Sequence, residues 1–300
     1  MKSHERVSEL LLETGAYTDL DEPVILTSGE LGIYYINTEK LCQDGGQFKQ
    51  YGDDSQAMIA HAVKMAEEHP TFKEVIDILS EKTESLIPKK DDALISGGQR
   101  RDWIFSGPVA EKLDIPHVSL YKDGKHEVVM PNGELLNGEA PSGMTAVHIV
   151  DLITAGSSVY SIKDGQEKGW VPMLRNQGID ISNLLAVVTR NQGGEQMLAE
   201  QGVTAHPFVA IDKDFLEARS KDPQRATTYL DSPPAWGENY IREHGIGAFV
   251  SAFNPDGGKL DRAKKFVDRY KLVLDAAGKM KELQDAVQKE YGKPMEELSK

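Results

Sequence analysis

An acid at the end of an apolar run, followed at once by small and hydroxyl-bearing residues, is chemistry waiting for a ligand. The run is HIVDLITAGSS, residues 148–158, in which Asp151 precedes Thr154, Gly156, Ser157 and Ser158. Backbone N–H groups in such a turn, leading into a helix, favour an anionic group, and the hydroxyls add donors. Ser and Thr are also the usual helix caps, so the fragment by itself is equally a capped strand-to-helix corner. It is neither GxGxxG nor GxxxxGK[ST], which argues against a dinucleotide site and a P-loop. Three further groups carry charge where an anion would need it. Lys122, Lys125 and His126 lie in a loop between two apolar runs, Arg100 and Arg101 follow Gly97-Gly98, and Arg190 ends the run LLAVVT. Each has a plain reading: a solvated lysine loop, a surface arginine pair, an arginine paired with any nearby acid. His117 and His148 sit inside apolar strands and read as core histidines.

The elements that position these residues alternate. Apolar runs at 93–96, 117–121, 146–150, 184–188 and 208–211 predict short strands. Helical spacing marks 7–14, 54–68, 103–113 and 195–201, a further helix is expected after Ser157, and Thr71 with Glu74 forms a capping box for a helix through Leu79. Strands separated by helices imply a parallel sheet covered on both faces, with ligands bound beyond the carboxyl ends of the strands, where Asp151 is placed. VILTSGELGIYYIN, residues 24–37, reads as two extended pieces around Ser28-Gly29. The polar stretch from Lys122 to Gly143 reads as a long loop. After NPDGG, residues 260–289 form a charged amphipathic pattern that suits a helix packed on the domain or on a partner subunit.

Composition narrows the function classes. The 300 residues carry a formal net charge of -14, so the surface field repels nucleic acid and anionic membranes, and an anionic substrate needs local basic clusters. One cysteine, Cys42, allows neither an intramolecular disulfide nor a multi-thiolate zinc site. MKSHERVSE lacks the apolar core of a secretory signal and no apolar run approaches a bilayer span, so a cytoplasmic location is the default expectation, with no membrane and no nucleic-acid partner.

Five stretches in one order carry a resemblance. LTSGELGIYYIN, DALISGGQRRDWIFSGPVAEKL, YKDGKHE, HIVDLITAGSS and VVTRNQGG resemble, collinearly over about residues 5–246, the orotate phosphoribosyltransferases of the type I phosphoribosyltransferase family. The resemblance implies an α/β fold, a central parallel sheet flanked by helices, with a small hood at about 1–50 and a C-terminal helical extension at 247–300 beyond the 1–246 domain. It implies transfer of phosphoribosyl from phosphoribosyl diphosphate (PRPP) to orotate, giving orotidine 5'-monophosphate and pyrophosphate in pyrimidine nucleotide biosynthesis. Residue by residue, it places Arg100, Arg101, Asp151, Leu152, Ile153, Thr154, Ala155, Gly156, Ser157 and Ser158 on PRPP, and Tyr34, Tyr35, Thr154 and Arg190 on orotate. Lys122, Lys125, His126 and Asp151 are the catalytic candidates. Mg²⁺ is expected mainly through PRPP, and a homodimer in which the Lys122–His126 loop reaches the neighbouring site.

The chain also departs from the pattern. The family has two adjacent acids where this chain has Val150-Asp151, a lysine at Thr27, an arginine at Glu30, and a lysine in the pyrophosphate loop where Arg100 or Arg101 stands. These departures leave two alternatives: a phosphoribosyltransferase for another base, and a PRPP-binding regulator or inactive paralogue.

Overall fold

The apolar runs become strands because each is rich in branched side chains and is bounded by Gly, Pro or a charged residue. The computed structural model describes residues 3–131, 133–136 and 143–298. In chain order it begins with α1 (Ser3–Glu13), β1 (Tyr17–Ile25), β2 (Leu31–Ile36), α2 (Ser55–Glu68), α3 (Pro70–Leu86), β3 (Ala93–Gly98) and α4 (Asp102–Leu113). Next come β4 (His117–Leu120), β5 (His126–Val129), β6 (Leu135–Leu136), β7 (Thr145–Ile153), β8 (Ser161–Lys163), β9 (Gln166–Lys168) and α5 (Trp170–Asn176). β10 (Asp180–Thr189), α6 (Gly194–Glu200), β11 (Thr204–Ala210), α7 (Lys213–Arg219), α8 (Pro223–Asp231) and α9 (Pro233–Glu243) follow, and α10 (Leu260–Ala276) and α11 (Lys279–Tyr291) end the chain.

The chain forms two compact units, one of Met1–Tyr17 with Asn37–Ile211, the other of Thr18–Ile36 with Asp212–Lys300. The first holds a seven-stranded sheet in the order β11-β10-β7-β3-β4-β5-β6. Neighbours from β11 to β4 are parallel, while β5 and β6 add antiparallel to the β4 edge. On one face Leu94, Ala146, Val150, Leu184 and Ala186 pack with Trp170, Val171 and Leu174 of α5 and Leu198 of α6. α4 packs against β3, β4 and β7, and is itself contacted by α2 and α3, which buries Trp103 through Ala110. His117 and His148 are core residues, as expected: His117 Nε2 bonds Ser106 Oγ at 2.9 Å and His148 Nδ1 bonds Ser96 Oγ at 2.9 Å.

The second unit combines the β1–β2 hairpin with α7 to α11. Its core joins Ile25 and Leu31 to Ile241, Phe249, Phe253, Leu260, Phe266, Tyr270, Leu274, Leu283 and Val287. The amphipathic tail is therefore a helical extension, but not one helix: Gly278, at φ 70°, ends α10 and starts α11. Residues 18–36 and 212–246 group with this extension, a division other than a boundary at 246 alone, because their apolar side chains complete its core.

Local expectations fail where turn chemistry overrides a pattern. The helix expected after Ser157 does not start there; the hairpin β8–β9 intervenes before α5, turning at Asp164-Gly165, both at positive φ (55° and 74°), which is a two-residue hairpin geometry. The polar stretch 122–143 contains β5 and β6 instead of being loop throughout; residues 132 and 137–142 lie outside the described residues. α3 starts at Pro70, whose missing N–H costs nothing at the first helical position, so Thr71 and Glu74 form no capping box. Glu74 instead accepts from Arg6 Nε at 2.8 Å.

Candidate functional site

Asp151 lies near the carboxyl end of β7, between β3 and β10 in the sheet, on the strand face opposite Val150. Val150 is 2% exposed, its methyl groups held in the apolar cluster, so the position that departs from two adjacent acids serves packing. Asp151 is half-buried. Its Oδ2 accepts from Thr38 Oγ1 at 2.8 Å and lies 3.5 Å from Arg101 Nη1. Arg101 Nε also meets Glu39 Oε1 at 3.1 Å, so one guanidinium spans two acids at the strand ends. Arg100 takes another direction, its Nη1 donating to Gly52 O at 3.4 Å. Of the expected arginine pair, Arg101 is the one brought to Asp151.

The loop carrying this pair is closely packed. Gly97 O accepts from Trp103 Nε1 at 3.0 Å, and a Cβ on Gly98 would lie 2.2 Å from the Trp170 ring. Asp102 opens α4 with its side chain directed back into this loop. Its Oδ2 accepts from Gly98 N at 3.1 Å and its Oδ1 from Asp151 N at 2.9 Å. Burial and the neighbouring Asp151 charge push the Asp102 carboxyl well above the usual carboxylate range.

Residues 154–158 form a tight turn. Gly156, at φ 74°, accepts from Val159 N and Tyr160 N at 2.8 and 3.0 Å, while Ala155, Ser157 and Ser158 are exposed and Thr154 is half-exposed. Gly194 N donates to Thr154 O, and a Cβ on Gly194 would stand 2.5 Å from that oxygen, so the Gly-Gly of RNQGG lets the next loop lie against the turn. Leu152 is half-buried. Ile153 belongs to the core, and its contribution to the site is a carbonyl that accepts from Arg190 N at 2.9 Å. Register pairs Thr189 with Ile153, so Arg190, 9% exposed, is the first residue beyond β10 and adjoins the turn. Because no helix starts at this turn, any anion held here would be met by its amides and hydroxyls, without a helix dipole behind them.

Lys122, Lys125 and His126 occupy the turn from β4 into β5, built on Asp123-Gly124 and closed by Tyr121 N to Lys125 O at 2.9 Å. With Gln99, Tyr121, Glu127, Asp53 and Asp54 they line an open cleft of about 1150 Å³. Lys122 N donates to Gln99 Oε1 at 2.8 Å, which ties this turn to the loop bearing Arg101. Lys125 Nζ pairs with Asp123 at 2.9 Å, an exposed pair that raises the ammonium pKa and lowers that of the carboxyl. His126 Nε2 is buried and has no hydrogen-bond partner. Beneath the turn, Tyr121, Ser55 and Glu127 form a hydroxyl–carboxylate network; burial first, and Glu127 after it, push the Tyr121 phenol up to about 12.

In the second unit, Tyr34 is buried with its ring edge-on to Tyr229, centroids 6.0 Å apart, and Tyr35 is 43% exposed. The Thr27–Glu30 turn before them is pressed onto α10. A Cβ on Gly29 would lie 2.6 Å from the Lys265 backbone, Lys265 Nζ donates to Thr27 O at 3.3 Å, and Arg269 stands 3.8 Å from Glu30. Thr27 and Glu30, two of the departures, are thus engaged by the C-terminal helix.

Thr38, Glu39, Asp102 and Trp170 were not among the residues expected at the site. For Asp102 a sequence signal existed, an acid inside the loop-to-helix junction, but an acid there is normally a helix-dipole partner. Trp170 depends on the hairpin β8–β9, which returns the chain to the loop.

No protein-family model matches the chain. Orotate phosphoribosyltransferase from Thermoplasma volcanium is 25% identical over 207 residues, 69% of this chain and 98% of that protein. Adenine phosphoribosyltransferase from Actinobacillus succinogenes is 30% identical over 126 residues, 39% of this chain and 67% of that protein. Among solved structures, orotate phosphoribosyltransferase from Aeropyrum pernix matches 71% of this chain and 98% of its own, with 19% identity and a TM-score of 0.48.

Proposed function

Because the chain belongs to the type I phosphoribosyltransferase family of glycosyltransferases, we propose that it transfers phosphoribosyl from PRPP to orotate. The observation that carries the reading is the position of Arg190. It directly follows β10, and its amide is bonded to Ile153 O beside the hydroxyl-lined turn, where a guanidinium suits a base bearing a carboxylate. In the reaction the C1'–O bond to pyrophosphate breaks, the leaving group takes the electron pair, and N1 of orotate bonds C1' and gives up its proton. Asp151, steadied by Thr38 and Arg101, would take the ribose hydroxyls. The turn at Thr154–Ser158 would hold the 5'-phosphate.

Negative charge grows on the departing diphosphate, and preorganised cations lower that barrier. Arg101, at 3.5 Å from Asp151, would supply one such cation, and Lys122, Lys125 and His126 on the β4–β5 turn would act on the site of the same chain or of a homodimer partner. Mg²⁺ would add charge neutralisation when bound. The carboxylates at the strand ends are already engaged, Asp102 by two backbone amides and Asp151 by Thr38 and Arg101, which suits an ion carried in on the diphosphate and ribose oxygens. Among the described residues no helix is long and apolar enough to cross a membrane, and a cytoplasmic homodimer completes the proposal.

The similarity to an adenine phosphoribosyltransferase, with Thr27 and Glu30 at the turn, favours a purine acceptor as the second reading. A panel of bases with PRPP and Mg²⁺ separates the two. Pyrophosphate release is expected with orotate, and Arg190→Ala should raise the orotate KM roughly tenfold to a hundredfold, the worth of a lost charge-assisted contact, while moving the PRPP KM far less. Release with adenine or hypoxanthine but not orotate would establish the second reading instead.

A further inference from the structure

The Asp102 carboxyl is 8% exposed and accepts two backbone hydrogen bonds from segments that are remote in sequence, Gly98 N at 3.1 Å and Asp151 N at 2.9 Å. Because it accepts from the Asp151 amide, this buried carboxyl lies against the residue whose own carboxyl stands at the strand end, and the neighbouring Asp151 charge adds to burial in raising its pKa. A buried carboxylate beside another cannot keep a second negative charge cheaply, and a single proton between the two resolves the conflict.

We propose that Asp102 is a positioning residue for phosphoribosyl transfer, whose carboxyl locks the Gly97–Gly98 loop to the backbone of Asp151. This rests on the proposed phosphoribosyl transfer at the same strand ends. The lock joins the loop that carries Arg101 to the acid that would meet the ribose, so the diphosphate and the sugar are gripped by parts held in one register. The loop has little other freedom, with Trp103 on the Gly97 carbonyl and Trp170 against Gly98. In its protonated form Asp102 can donate to the Asp151 carboxylate while still accepting from both amides, since a carboxyl has lone pairs to spare. Loss of that proton sets two anions against each other. The other charged groups facing the pair are Arg101, bonded to Asp151, and Glu39, bonded in turn to Arg101.

The amide in Asp102→Asn keeps one acceptor and one donor and cannot ionise, whereas Asp102→Ala removes the lock. Expected for Asp102→Asn, which gives up one of the two backbone bonds, is a lower kcat/KM for PRPP at neutral pH, with its alkaline fall shifted or absent. Expected for Asp102→Ala is an increase of at least about tenfold in the Kd for PRPP, read by calorimetry with the folded protein, and less than about a twofold change in the orotate KM. The proposal is overturned if Asp102→Asn reproduces the wild-type pH profile, or if the Asp102→Ala protein binds PRPP as the wild type does. Should Asp102→Ala fail to fold, the pH profile of Asp102→Asn decides alone. Wild-type protein that neither binds PRPP nor releases pyrophosphate would refute the transfer reading itself, a result distinct from either of these.

Discussion

Val150 and Asp151 are neighbours in sequence with opposite fates: the first is sealed in the apolar cluster, the second carries Thr38 and Arg101 at the strand end. Strand alternation alone separates them. The same economy of space applies at Gly98, where an added Cβ would meet the Trp170 ring at 2.2–2.7 Å. An indole buried to 4% exposure cannot retreat, so Gly98→Ala must displace the loop that bears Arg101. Its PRPP KM should rise at least about tenfold while circular dichroism stays native; an unchanged KM would show that the loop yields without consequence for the sugar. At this scale the sequence was legible where a residue's chemistry is local. Asp151, Arg190 and the small-residue turn end apolar runs, so their places at the strand ends could be read from the sequence. That of Asp102 could not, because its partner amide lies 49 residues away.

Among the elements, the strands of the sheet were legible from apolar runs, and the misreadings cluster at Asp-Gly pairs. Asp123-Gly124 turns β4 into β5, and Asp164-Gly165 turns β8 into β9, in segments too polar or too short for periodicity to reveal strands. The turn residues themselves were the available signal. The C-terminal pattern was readable as amphipathic, but what it covers was not, since its partners Ile25, Leu31 and Ile241 come from distant segments. That packing makes α10 and α11 integral to the second unit. A chain ending at Ile246 would lose Phe249, Phe253, Leu260, Phe266, Tyr270, Leu274, Leu283 and Val287 from one core. Burial of each large apolar side chain is worth about 2 kcal/mol, and a whole domain is stable by only about 5–15 kcal/mol. The truncated protein should therefore be insoluble or bind a hydrophobic dye strongly; a monodisperse product with a cooperative melt would show the extension to be dispensable to the fold.

Across the whole molecule, two buried histidines contribute to the pH response of the fold. Desolvation lowers both His117 and His148 to about 3, with His117 adding to the effect on His148. Their folded pKa values lie below the unfolded value of about 6.5, so between pH 6.5 and about 3 the unfolded chain binds more protons than the folded one. Their contribution to stability is therefore complete above pH 6.5 and declines as the solution is acidified. At pH 5 each histidine costs about 2 kcal/mol relative to neutrality, following a slope near 1.4 kcal/mol per pH unit. Asp102 works in the opposite sense: its raised carboxyl pKa favours the folded state as pH falls from above that pKa towards about 4, so the net curve blends both effects. Substitution isolates the histidines. His148→Gln retains a polar group for Ser96 Oγ yet cannot take up a proton, so it should remove about half of the histidine part of the acid slope whatever it costs at pH 7. Urea unfolding midpoints at half-unit steps from pH 7.5 to 5 measure this directly. A slope identical to that of the wild type would mean that His148 is already accessible to protons in the folded protein, and that the sheet opens around it.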